Sequence, residues 1–134
     1  MKRLNLGRPA IACVLVGALS VSTYALAGLR TFLPVTIDDS AMVASGMLGA
    51  ARNSSDTTQF IGCKTVSDAS SSFGTCTALD STRLFRSCTT SNANMIAAMR
   101  AIVGDSYIIF NWNSSGACTA VSVLNESDVD PKVR

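Results

Sequence analysis

Cysteine is the residue type here whose number and spacing carry the clearest chemistry. Five are present, at positions 13, 63, 76, 88 and 118, and the chain has no histidine. The last four are separated by 13, 12 and 30 positions, with no Cys-x-x-Cys pair. Structural zinc sites nearly always show short-spaced ligand pairs, so these spacings indicate disulfides, and no metal or other cofactor is expected. The lack of histidine excludes Ser-His-Asp and Cys-His nucleophile systems. Paired cysteines are poor nucleophiles as well, because the reactive species is the thiolate.

Carboxylates are the remaining catalytic option. Asp38 and Asp39 are adjacent, so on an extended strand they point to opposite faces. Asp56, Asp68, Asp80 and Asp105 each stand beside Ser or Thr at the end of an expected element, where Asp bonds nearby backbone and favours a turn. Serine is abundant, yet no Gly-x-Ser-x-Gly or Ser-x-x-Lys motif makes one a nucleophile. No catalytic, cofactor-binding or metal-binding residue is therefore assigned.

The elements that place the cysteines begin after an export segment. Lys2, Arg3 and Arg8 form a basic start, residues 10–21 are apolar, and Ala25-Leu26-Ala27 offers small residues where a signal peptidase needs them. This three-part pattern predicts a secretory signal peptide over residues 1–27, with cleavage before Gly28. Cleavage removes Cys13 and leaves four cysteines in an oxidising compartment, the periplasm or the medium, where two disulfides are expected. It also removes three of the eleven basic residues, leaving eight against nine acidic ones. The net charge of −1 gives no support for a nucleic-acid partner, and no stable membrane insertion is expected after cleavage.

Residues 28–56 read as an N-terminal arm, with an extended piece near 30–37 and a weak helix over 41–52 capped by Asp39 or Ser40. Residues 57–134 read as the stapled domain. Short apolar runs at 59–66, 73–79 and 84–88, between Ser- and Asp-rich turns, predict a three-strand meander. Met95, Ile96, Met99, Ile102 and Val103 then fall on one helical face, with Ser91 or Asn92 as N-cap and Gly104 as C-cap. Two more strands follow at 106–112 and 117–124, joined by Asn113-Ser114-Ser115-Gly116. The expected fold is α+β: one antiparallel sheet of about five short strands, in the order βββ-α-ββ, with one packed helix and no internal repeat.

Hairpin register suggests a pairing among the three possible ones. With Val66 opposite Phe73, Cys63 lies opposite Cys76. A two-residue turn at Asp80-Ser81 would set Cys76 opposite Phe85 and turn Cys88 to the other face, which favours Cys63–Cys76 and Cys88–Cys118. In the final hairpin, pairing Trp112 with Ala117 puts Ile108, Phe110, Trp112, Val121 and Val123 under the helix. The opposite face carries Tyr107, Ile109, Cys118, Ala120 and Leu124. Strands apolar on both faces are usually covered on both. Tyr107, Ile109, Ala120 and Leu124 thus form a candidate interaction face, to be covered by the arm or by a partner.

Residues 56–132 are similar to small exported bacterial proteins of uncharacterised function. The similarity rests on Gln59-Phe60-Ile61-Gly62-Cys63, Cys76, Cys88, Asp105-Ser106-Tyr107, Cys118 and Pro131-Lys132. It implies export and a four-cysteine framework and supplies no catalytic residue. The function expected is a non-enzymatic module that binds a protein or a surface. The alternative is a small histidine-free hydrolase or inhibitor using carboxylate or backbone groups.

Overall fold

A computed structural model describes Leu29 and residues 31–129. The expected signal peptide and its cleavage site lie outside the described residues. The chain runs β1 (Thr36–Asp38), β2 (Val43–Met47), α1 (Leu48–Asn53), β3 (Phe60–Ser67), β4 (Ser72–Leu79), β5 (Phe85–Thr90), α2 (Ala93–Arg100), β6 (Tyr107–Trp112) and β7 (Cys118–Leu124). The fold is α+β and disulfide-stapled, as expected. Its strands, however, number seven rather than about five, and they form two antiparallel sheets, β3-β4-β5 and β1-β2-β6-β7, with two helices.

The β3–β4 hairpin follows from its turn. The Asp68 carboxylate accepts from the Ser70 and Ser71 N–H groups, and the Asp68 N–H donates to the Ser71 carbonyl. This closure sets Val66 opposite Phe73 and Cys63 opposite Cys76, the register expected from the sequence. The next connection departs from expectation. It spans residues 80–84, and the Asp80 carboxylate accepts from the Thr82 N–H and hydroxyl and the Leu84 N–H. Arg83 turns the chain with φ 68°. The longer loop sets Leu79 opposite Phe85 and Cys76 opposite Cys88, so Cys88 faces the same side as Cys76 rather than the other.

The disulfides are Cys63–Cys76 and Cys88–Cys118. The pairing matches the expectation, although the register used to reject Cys76–Cys88 does not. The first links the close cross-strand pair at a Cα separation of 4.0 Å, whereas the second ties β5 to β7 and hence one sheet to the other. Two polar contacts run beside this tie: Arg86 on β5 pairs with Asp39, and the Thr89 N–H donates to the Gly116 carbonyl at 3.1 Å.

The described part of residues 28–56 joins the sheet at its β6 edge instead of simply folding over the second face of the final hairpin, although its Met47 and Ala50 pack with Tyr107. β2 pairs edge-on with β6, setting Ala44 opposite Phe110 and Met47 opposite Tyr107. Of the expected helix over 41–52, only residues 48–52 are helical, as part of α1, and Asp38, rather than Asp39, organises the turn before β2 by accepting from Ser40 and Ala41. Gly46 permits this arrangement, because a Cβ there would lie 3.0 Å from the Val35 Cα.

The core lies between the sheets, around Ala44, Ile61, Cys76, Ala78, Cys88, Met99, Ile108 and Phe110. α2 starts at Asn92, whose side chain accepts from the Asn94 and Met95 N–H groups. It buries Ile96 and Met99, and Met99 joins this core. The helix ends at Arg100 with Ala101 as C-cap, so Gly104 does not cap it and Val103 is left exposed. A bulge at Asn111/Trp112 sets Trp112 opposite Cys118. That shift brings Cys118 to the core side with Phe110, away from the face expected for it.

Candidate functional site

Each strand of the three-stranded sheet carries Phe-x-x-Cys: Phe60 to Cys63, Phe73 to Cys76, and Phe85 to Cys88. Residues three apart on a strand point to opposite faces. The cysteines therefore turn toward the core and the phenylalanines away from it, where they are 45%, 46% and 52% exposed. The recurrence is present in the sequence, in place of the expected absence of any internal repeat.

The outer face is ordered in rows by the register. One end holds Phe60, Leu79 and Phe85, and the other holds Val66 opposite Phe73. Between them lie Gly62, Thr77 and Ser87, then Lys64, Thr75 and Thr89. Val66 is also exposed. Two apolar ends thus flank a hydroxyl-rich centre with one cation and no carboxylate, and neither helix covers it. Exposed apolar side chains set on either side of a polar centre make this face a candidate interaction site.

A groove of about 820 Å³ adjoins the Phe73 end. Phe73, Thr89, Thr90, Asn92, Met95 and Cys118 are among its walls, so it opens from the outer face toward the disulfide between the sheets.

The expected face of Tyr107, Ile109, Ala120 and Leu124 lies on the other sheet. Tyr107 stands opposite Leu124, Ile109 opposite Ser122, and Asn111 opposite Ala120. Ala120 is exposed, and Tyr107, Ile109 and Leu124 are half-buried. Tyr107 packs against Met47, Ala50 and Val129.

Asp38, Asp56, Asp68 and Asp80 are engaged in local turns, whereas Asp39 pairs with Arg86 and Asp128 accepts from the Thr31 hydroxyl. Hydrogen bonds to Asp56 from the Ser54 hydroxyl, the Gln59 side chain and the Gln59 and Thr58 N–H groups hold its carboxyl well below the usual range. The Ser70 N–H and hydroxyl, then those of Ser71, hold Asp68 down to about 2. Burial raises the Asp80 carboxyl, but the Thr82 hydroxyl and the Leu84 and Thr82 N–H groups outweigh it and the net shift is downward. Ser106, the one fully buried serine among the described residues, is held by the Val103 N–H and donates to the Asn125 side chain. No three His, Cys, Asp or Glu side chains gather as a metal site among the described residues, and no helix there is long and apolar enough to cross a membrane. No protein-family model, curated protein or solved structure matches the chain.

Proposed function

We propose that this is an exported, non-enzymatic module of the small four-cysteine bacterial type, and that it binds a protein or a surface in the periplasm or medium. The observation that carries this reading is the outer face of β3-β4-β5, where Phe60, Phe73, Phe85 and Val66 stand exposed around a threonine- and serine-rich centre. The two disulfides are compatible with export. Asp56, Asp68 and Asp80, three of the carboxylates available to an alternative hydrolase, are committed to turns, which favours binding over catalysis.

The test uses protein recovered from the envelope or medium, expected to begin at Gly28. A photo-crosslinking residue at the exposed Phe85 should give a discrete product, and Phe60→Ser together with Phe73→Ser should abolish it. Cooperative unfolding should survive those substitutions, because neither ring is in the core. Undiminished crosslinking in the folded double variant would overturn the reading. So would substrate turnover that disappears on changing one Asp to Asn.

A further inference from the structure

The register places three cysteines in one row across the three-stranded sheet: Cys63 opposite Cys76, and Cys76 opposite Cys88. Cys76 thus lies between both disulfides and belongs to only one of them. We infer that Cys63 is a thiol–disulfide exchange site for a small thiol, and that buried Cys76 relays the exchange to the disulfide between the sheets.

Access differs sharply along the row. Cys76 and Cys88 are 0% and 1% exposed, whereas Cys63 is half-buried on the edge strand β3. The Cys63 side chain lies on the core side of the sheet, so a thiol reaches it past the edge of β3 and not from the outer face.

The geometry of the row supports the second step. A Cα separation of 4.0 Å marks Cys63 and Cys76 as a non-hydrogen-bonded pair. Cys76 therefore directs its backbone groups toward β5 and opposes Cys88 as a hydrogen-bonded pair, at a Cα separation of about 5.5 Å. That lies within the roughly 4.4–6.8 Å that a disulfide spans.

The chemistry balances with a dithiol reductant. Its first thiolate attacks the Cys63 Sγ, forming a mixed disulfide and expelling Cys76 as a thiolate. Burial among apolar groups disfavours that charge, and the Cys88 Sγ lies across the adjacent strand. Attack there forms Cys76–Cys88, breaks Cys88–Cys118 and expels Cys118, which takes a proton. The reductant's second thiolate then attacks its own sulfur in the mixed disulfide and leaves as a cyclic disulfide, freeing Cys63. Two electrons have moved from the dithiol to the protein. The link between the sheets has opened without a thiol reaching it directly, and the remaining disulfide lies within one sheet.

The experiment is partial reduction of the oxidised protein with limiting dithiothreitol, an acid quench, alkylation and peptide mapping. The two-electron-reduced species should carry labels on Cys63 and Cys118 and retain a Cys76–Cys88 bond. Labels on Cys63 and Cys76 would show that the relay does not run. Labels on Cys88 and Cys118 would show direct attack through the groove, and passage straight to four labels would show that no such intermediate forms; each result overturns the inference. As a second measurement, Cys76→Ser should slow opening of Cys88–Cys118 by roughly tenfold or more, because the attacking sulfur is gone. An unchanged rate overturns the relay.

Discussion

At the scale of the residue, aspartate does most to shape the connections. Asp38, Asp68 and Asp80 each gather N–H and hydroxyl donors from the few residues that follow, and Asp56 gathers N–H groups from Thr58 and Gln59 and the hydroxyl of Ser54 before it. These bonds favour the charged carboxylate, which ties stability to pH. The Asp68 carboxyl titrates at about 2 in the folded chain, against an ordinary value near 3.9 when unfolded. Between those values the unfolded chain takes up a proton that the folded chain does not. The contribution of Asp68 is therefore complete above the ordinary value and is lost as pH falls toward about 2. Asp38 and Asp56 act in the same direction. Asp68→Asn should lower the urea midpoint near pH 7 and make the acid loss of stability shallower. Midpoints measured from about pH 7 down to about pH 2.5 test this. A gap between variant and parent that stays constant across that range would show that the Asp68 charge is not involved.

At the scale of the element, α2 is seated by a glycine on the strand beneath it. A Cβ at Gly74 would fall 2.2 Å from the Met99 sulfur and 3.6 Å from Ile96 Cγ1. Gly74→Ala should therefore overpack the seat and cost about 1–3 kcal/mol, while Met99→Ala should leave a cavity costing about 2–5 kcal/mol. Combined, the two should cost clearly less than their sum, because the new methyl enters the space the methionine leaves. Chemical denaturation of the three variants tests this, and simple additivity would mean that Gly74 is not the seat. The apolar face of α2 was legible because its period differs from that of the strands around it. The β3–β4 register was legible because Asp68 and three serines mark a short turn. The β4–β5 register was not: the loop there uses a left-handed arginine, Arg83, and contains no glycine to announce it. β2 was not legible because Ala44 and Gly46 give little strand signal of their own. Its strand form depends on pairing with β6, some sixty residues away in sequence. The outer phenylalanines were visible all along at a fixed offset from the cysteines, and became a face only once the register aligned them.

At the scale of the whole molecule, two sheets share one core, and the question is whether the disulfides could hold it without the segment before β3. Both disulfides lie beyond that segment, so a chain deleted for residues 28–55 keeps all four paired cysteines. A disulfide chiefly restricts the unfolded chain, by typically 2–4 kcal/mol, and does not replace buried surface. The deletion removes Val35 and Ala44 from the main core, and Met47 and Ala50 from the cluster beneath Tyr107. Fully burying a side chain such as Val or Met contributes about 1.5–3 kcal/mol. The deletion also bares the β6 edge, with Ile108 and Phe110 at 0% exposure in the intact chain. Against a typical domain stability of about 5–15 kcal/mol, losses of this kind are decisive. The truncated protein should remain oxidised yet lose cooperative unfolding, bind a hydrophobic dye and self-associate through the bared edge. Calorimetry, dye fluorescence and sedimentation of the two chains provide the comparison. A truncated chain that stays monomeric, dye-silent and cooperative would show that residues 57–134 form a complete core, with β1, β2 and α1 as an accessory.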